Sequence, residues 1–222
     1  MSELSSIAID GPVASGKTAV GRVVATRLGI RFLDTGAMYR AVTWVATQLG
    51  TDLDDDDALT AIAESVDMRL VAGDAGDRLI VDGQDITDHI RDRDVERGVS
   101  LVSAVSGVRT ALVGQQRVVA SQGSIVMVGR DIGTVVLPDA DVKVFLQASM
   151  EVRAKRRYDE LRSQGKSPDY QHVTDDLARR DKIDSERTDS PLRRAPDAVL
   201  LDTDDLTVEE VVRRIQGIAE AR

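Results

Sequence analysis

There is no cysteine among the 222 residues, which excludes disulfides and thiolate metal sites and makes a reducing compartment, the cytoplasm, the expected setting. Two histidines are too few for a His-rich metal centre. Aromatics make up 3% of the chain, so Val, Leu, Ile and Ala must fill any interior. No apolar run approaches the ~20 residues that a membrane-spanning helix needs. The opening Met1-Ser2-Glu3-Leu4-Ser5-Ser6 lacks the basic flank and apolar stretch of a signal peptide. Positive charge in excess is also missing. With a net charge of −9 and a pI of about 4.8, the surface is a poor long-range match for a nucleic-acid polymer or an anionic membrane, and a soluble monomer is expected.

Hydrophobic residues supply 42% of the sequence, enough for a packed core in one α/β domain with a small appendage. Charge is spread unevenly. Asp is dense from Asp52 to Glu96, whereas Arg clusters from Arg153 to Arg194, a pattern that points to a small polyanion held in a cleft.

Ser6–Asp10 reads as a buried strand, 11–16 as a loop, and Lys17–Leu28 as a helix with Gly29 at its C-cap. A second strand at Ile30–Leu33 and a helix from Gly36 to Leu49 follow. This order predicts a parallel sheet covered by helices. Residues 51–100 break the rhythm: a short helix at Leu59–Val66, strands at Met68–Val71 and Arg78–Val81 joined by a Gly/Asp turn, and a hairpin signal at Asp82-Gly83. An inserted subdomain is the expectation. Helical pattern resumes over Val102–Ser121, and core strands are expected at Ser124–Val128, Asp141–Leu146 and Ala198–Leu201. Arg-rich helices span Met150–Gln164 and Val173–Glu186, and an amphipathic helix spans Thr207–Ala219.

Gly11-Pro12-Val13-Ala14-Ser15-Gly16-Lys17-Thr18 matches G-x-x-x-x-G-K-[ST] at every fixed position, with a strand before it and a helix after. Backbone amides of such a loop form a concave nest for phosphate oxygens, and the helix start adds its positive dipole end. Lys17 then meets the β- and γ-phosphates of ATP, and Thr18 offers a hydroxyl ligand to the accompanying Mg²⁺. The motif by itself does not separate a kinase from a switch GTPase or an ATPase.

Three further segments bear on a second phosphate. In Asp34-Thr35-Gly36-Ala37-Met38-Tyr39-Arg40, Thr35 can cap the following helix and Arg40 lies one turn in, either as a surface residue or as a grip on an acceptor phosphate. Gly129-Arg130-Asp131-Ile132-Gly133-Thr134 again puts an Arg and a carboxylate after a core strand, as a salt bridge or as a site. Arg180, Asp184 and Arg187 are spaced to share one helix face. That face is either ordinary ion pairing at about 0.3–0.5 kcal/mol per pair or a comb facing a nucleotide. Arg153, Arg156 and Arg157 on the preceding helix complete what reads as a mobile lid.

These segments together resemble the bacterial cytidylate kinase family of P-loop nucleoside monophosphate kinases, over nearly the whole chain, with Asp197-Ala198-Val199-Leu200-Leu201-Asp202-Thr203 also matching. The resemblance implies a P-loop three-layer α/β fold with a five-stranded parallel sheet. Residues 1–50 and 101–222 would be the core, with a helical lid at about 153–168, and residues 51–100 an inserted monophosphate-binding subdomain. It implies transfer of the ATP γ-phosphoryl group to CMP or dCMP, with Mg²⁺. Residues 11–18 and Arg157 would bind ATP. Arg40, Arg130 and Arg187 would meet the acceptor phosphate or the transferring group, with Thr35 nearby. Ser100, Arg109 and Asp131 would read cytosine, and Arg180 and Asp184 the ribose.

The base assignment has a chemical rationale. Cytosine offers an N4 amino donor and acceptors at N3 and O2. Asp131 and Ser100 can accept from the first and Arg109 can donate to the others, whereas uracil would leave buried groups mismatched. Ser100 and Arg109 are nine residues apart and face opposite sides of one straight helix, so they converge only across a break, expected at Ser106-Gly107. Ala14 stands where many relatives have glycine, and should be tolerated if its φ is negative. The competing readings are another small-molecule or UMP/CMP-type kinase on the same fold, and a nucleotide-dependent switch.

Overall fold

All but the first residue of Ser6–Asp10 is buried, as a strand covered on both faces requires. The computed structural model describes residues 4–71 and 78–221, and there this segment is β1 (Ser6–Asp10). Next come α1 (Lys17–Leu28), β2 (Arg31–Asp34), α2 (Thr35–Leu49), α3 (Asp56–Ser65), β3 (Met68–Val71), β4 (Arg78–Val81) and β5 (Gln84–Asp85). A 3-10 turn at His89–Arg91 leads into α4 (Arg93–Val102) and α5 (Ser106–Ala120). After β6 (Ile125–Gly129), a π-helical turn at Ile132–Val136 precedes β7 (Val142–Gln147). The last elements are α6 (Met150–Ser163), α7 (Tyr170–Glu186), β8 (Val199–Asp202) and α8 (Val208–Glu220). Of the described residues, 4–34 and 120–221 form one compact unit, and 35–71 and 78–119 a second.

The first unit is built on a five-stranded sheet of order β2-β6-β1-β7-β8, every pair parallel as expected. The register pairs Asp10 with Gly129 on one side and with Phe145 on the other, so the carboxyl ends of β1 and β6 are level and β7 runs on two residues to Gln147. Ligands bind at that edge in open parallel sheets. Val20 and Val24 of α1 and Val211, Val212 and Ile215 of α8 pack on Ile7, Ile9, Val126, Val128, Val142, Val144 and Leu146. Each such side chain contributes about 1.5–3 kcal/mol on burial. Gly29, at φ 65, ends α1, and a Thr207–Glu210 capping box starts α8.

In the second unit, β3-β4-β5 is an antiparallel sheet, and Asp82 and Gly83 both take positive φ in the tight turn between β4 and β5. The Gly/Asp turn expected between β3 and β4 lies outside the described residues. α2 lies against α3, α4 and the 3-10 turn, and Trp44 stacks on His89 with ring centroids 6.4 Å apart. The Asp54–Asp57 run begins α3: Asp55 accepts from the Ala58 amide while Asp56 and Asp57 occupy the first turn.

The helix break does not fall at Ser106-Gly107. It falls one turn earlier, at Ser103–Val105, between the end of α4 and the start of α5. Gly107 serves close packing instead, because a Cβ there would stand 2.1 Å from Thr60 Oγ1 on α3. Thr35 is not a cap but the first residue of α2.

Gly21 makes a similar close approach on α1: a Cβ would sit 2.5 Å from Val128 Cγ1 and 2.9 Å from Phe32 Cε2. On an exposed helix Gly→Ala gains about 1 kcal/mol. At this site overpacking against rigid strand residues costs about 1–3 kcal/mol. Gly21→Ala is therefore expected to lower the urea unfolding midpoint despite the better helix former, and a raised midpoint would refute the packing argument.

Candidate active site

The loop between β1 and α1 is held by its backbone geometry. Gly11 has φ 151, and a Cβ there would lie 2.2 Å from the Leu146 carbonyl oxygen, so no other residue fits. Gly16, at φ 92, turns the chain into α1. Ala14 does not meet the condition for easy tolerance: its φ is +59. A left-handed alanine costs about 1–2 kcal/mol, so the loop's neighbours must impose it. They include Val13, which packs against Ala154, Val173 and Leu177 of α6 and α7. Arg153 Nη1 also donates to the Val13 carbonyl at 3.2 Å.

Lys17 opens α1 and is buried. Its Nζ donates to the Pro12 carbonyl at 2.6 Å and to Ser15 Oγ at 3.3 Å. Burial, and then the neighbouring charge of Arg130, drive its ammonium well below the ordinary lysine pKa, with Asp34, Asp10 and Asp184 pulling the other way. Thr18 Oγ1 donates to Asp34 Oδ2 at 2.8 Å.

After β6, Arg130 Nε lies 2.8 Å from Asp184 Oδ2, and Asp184 and Arg180 are both buried on α7. Burial alone pushes the Asp184 carboxyl up. Arg130's charge and hydrogen bond, followed by Arg187 and Arg180, outweigh it and hold the group below its usual range. Arg187 is not the third tooth of a helical comb. α7 ends at Glu186, and Arg187 is its C-cap in extended conformation. From there its Nε and Nη2 donate to the Ser190 carbonyl at 2.9 and 2.6 Å, and Nη2 lies 3.8 Å from Asp131 Oδ1. Leaving the helix is what lets Arg187 reach across to the β6 loop.

The three arginines of α6 have separate tasks. Arg153 is buried, bonds the Val13 and Ala148 carbonyls, and pairs with Asp181 at 2.7 Å. Arg156 bonds Oγ1 and the carbonyl of Thr203, and Arg157 pairs with Glu160 at 2.8 Å. Loop residues 11–18, Arg130, Asp131, Arg157, Arg180, Asp184 and Arg187 thus all belong to the first unit.

Thr35, Arg40, Ser100 and Arg109 belong to the second unit. Arg40 Nε donates to Glu96 Oε1 at 2.9 Å, tying α2 to α4. Ser100 and Arg109 are both buried and share an anchor at the helix break. Ser103 Oγ donates to the Ser100 carbonyl at 3.0 Å, and Arg109 Nη1 donates to the Ser103 carbonyl at 3.1 Å. The Arg109 guanidinium also lies over the Tyr39 ring, 5.5 Å from its centroid.

Sequence reasoning assigned no role to Asp10, Glu96 or the Asp34 side chain. Asp10 Oδ1 and Oδ2 accept from the Ile132 and Gly133 amides, each at 2.8 Å. The available signal was position alone: Asp10 and Asp34 each end a strand where ligands gather.

A buried lysine at a glycine-walled loop, with Arg130 beside it and Arg180 and Arg187 around the neighbouring Asp184, is suited to holding and transferring phosphoryl groups, and the molecule is a P-loop kinase. The fold alone recurs in a gluconokinase from Sinorhizobium meliloti (TM-score 0.51, 18% identity, 98% of this chain and 93% of that one). It recurs likewise in an uncharacterized protein from Eubacterium ventriosum (TM-score 0.56, 14% identity, 98% and 99%). A sequence profile described as cytidylate kinase matches residues 7–221, and the chain belongs to that family of nucleoside monophosphate kinases. The cytidylate kinase of Bacillus velezensis is 46% identical over 100% of this chain and 99% of its own. That of Geobacillus kaustophilus is 48% identical over 98% and 97%. A bifunctional pantoate ligase/cytidylate kinase from Synechococcus is 49% identical over 94% of this chain and 39% of its own length.

Removing the Arg153 guanidinium leaves Asp181 as an uncompensated, largely buried charge. Arg153→Met should therefore lose about 3–5 kcal/mol of stability by urea unfolding. At a temperature where the variant remains folded, its KM for ATP should rise, because the Val13 carbonyl loses its tether. An unchanged KM would show that the loop holds its shape without Arg153.

Proposed function

We propose that this cytidylate kinase transfers the γ-phosphoryl group of ATP to CMP and dCMP with Lys17, Arg130, Arg187 and Arg40 as its charged machinery. The observation that carries the assignment is the convergence of Arg130, Arg180 and Arg187 on Asp184 beside Lys17. These cations stand at the phosphate loop, where the oxygens of a polyanion would meet them. Residues 11–18 hold the ATP phosphates through backbone amides, and Arg157 assists from α6. Arg40, with Thr35, grips the acceptor phosphate. Arg180 and Asp184 meet the ribose, and Ser100, Arg109 and Asp131 read the base. Residues 51–100 act as the monophosphate-binding insert and about 153–168 as the lid.

The acceptor phosphate oxygen attacks the γ-phosphorus in line. It is already an anion, so no general base is required, and the rate depends on positioning and on charge held ready for the transition state. Among the described residues, no group of three or more His, Cys, Asp or Glu could hold a metal unaided. Magnesium commonly rests on one or two protein oxygens plus substrate phosphates. The Thr18 hydroxyl and Asp34 carboxylate, 2.8 Å apart, are hard oxygen donors that fit this requirement. Mg²⁺ bound there with ATP supplies positive charge to the β- and γ-phosphates. No helix among the described residues is long and apolar enough to cross a membrane, and small nucleotides are the partners this reading requires.

Coupled ADP release with ATP and Mg²⁺ tests the assignment against CMP, dCMP, UMP, AMP, GMP and shikimate. CMP and dCMP should exceed UMP by at least about 100-fold in kcat/KM. Comparable turnover of UMP would remove the base-reading role of Ser100, Arg109 and Asp131. Arg130→Met should lower kcat by about 10²–10³-fold with little change in the KM for ATP. Loss confined to KM would reassign Arg130 to ground-state binding.

A further inference from the structure

The π-helical turn Ile132–Val136 begins with amides that have no partner inside the turn, as any helix start does. Its own N-cap residue, Asp131, would ordinarily supply the acceptor, yet its side chain makes no capping bond. The acceptor comes instead from Asp10 on β1, 122 positions upstream of Ile132, whose two oxygens take the Ile132 and Gly133 amides at 2.8 Å each. The Asp131 carbonyl meanwhile closes the turn by accepting from Val135 and Val136, at 2.8 and 3.2 Å. Because the cap is supplied from elsewhere, the Asp131 carboxylate points away from its own helix and lies 3.8 Å from Arg187. A Cβ at Gly133 would lie 3.4 Å from Asp10 Oδ2, an ordinary contact, and 3.2 Å from the flexible Lys143 side chain.

We propose that Asp10 is a positioning residue for phosphoryl transfer: by capping the Ile132–Gly133 amides from across the sheet, it sets the directions in which Arg130 and Asp131 project. The inference rests on the roles assigned above to those two residues. The clamp uses both carboxylate oxygens as acceptors, so it is strongest while Asp10 is ionised. A proton on either oxygen leaves that oxygen an uncharged and weaker acceptor. The charged groups around Asp10 are Asp131 from the β6 loop and Lys17 from α1. Lys143 of β7 lies alongside, with its Nζ turned to the Pro138 carbonyl and to Asp197.

Burial, reinforced by Asp131, pushes the Asp10 carboxyl up from 3.8 to about 6 against the pull of the two amides and Lys17. Stability and turnover then depend on pH with opposite sign. The raised pKa favours the folded state below about pH 4, and that contribution is lost as the pH rises through 6. The clamp, by contrast, strengthens as the pH rises through 6.

The experiment measures kcat for wild type and Asp10→Asn from pH 5 to 8.5 at saturating ATP–Mg²⁺ and CMP, together with thermal midpoints. Near pH 8 the variant should be slower by about 10–100-fold, with the KM for ATP little changed. The ratio of the two kcat values should approach unity near pH 5, where wild type is protonated and resembles the amide. Titration of the CMP phosphate affects both proteins and cancels in the ratio. A ratio that stays constant across the range, or a loss that follows thermal stability alone, overturns the proposal. Should Asp10→Asn fail to fold, ¹H–¹⁵N spectra of wild type decide. The Ile132 and Gly133 amide protons should shift together with a midpoint near 6, and stationary resonances overturn it. Arg130→Met, assayed in parallel, separates the two readings. Full turnover in that variant refutes the site assignment. Its loss beside an unimpaired Asp10→Asn refutes the clamp.

Discussion

The ion pair between Arg130 and Asp184 joins the loop after β6 to α7 at 2.8 Å, and much of the site depends on it. A largely buried carboxylate is tolerable only when cations face it, and Asp184 has three: Arg130, Arg187 and Arg180. Burial, and after it the charge of Arg130, disfavours the charged form of the neighbouring Lys17, while Asp34, Asp10 and Asp184 favour it. Lys17, Arg130, Arg180 and Arg187 thus stand among Asp10, Asp34, Asp131 and Asp184, a dense group of both signs in a chain of net charge −9.

Much of this architecture was legible in the sequence. The five core strands are short segments with apolar centres, and each falls within a residue or two of its expected place. α1 and its Gly29 cap coincide with expectation because capping is a local signal. The errors arose where tertiary contacts decide. Ala14, at φ +59, follows Val13, which is packed under α6 and α7 and tethered by Arg153, and no local signal announces those contacts. Gly107, read as a helix breaker, lies inside α5 against Thr60. Arg187 follows a 3.6-residue spacing up to the point where the helix ends beneath it. Asp10 carried no periodic signal, since its partners are backbone amides 122 and 123 positions downstream.

Fold and family were identified by different kinds of likeness. At 14–18% identity, the gluconokinase and the Eubacterium protein share an arrangement of strands and helices and nothing finer. The Bacillus and Geobacillus relatives, at 46–48% over nearly full length, carry the family. The two units carry different groups of charged and polar side chains. The first supplies the phosphate loop and the Arg130–Asp184–Arg187 group. The second supplies Arg40, held by Glu96, and Ser100 and Arg109, held at Ser103.

The sheet order has a consequence for how the chain is made. β1 sits at the centre, yet its neighbours are β6 and β7, in register with Ser6 opposite Ile125 and Ile7 opposite Val142. At a synthesis rate of ~5–20 residues per second, the first strand emerges from the ribosome on the order of ten seconds before its partners exist. During that interval Ile7, Ala8 and Ile9, each fully buried in the finished protein, stand in water with no strand to pair with. A nascent chain of this topology therefore has the middle of its sheet in hand long before it can use it, and its first apolar strand is available to a chaperone or to another chain throughout.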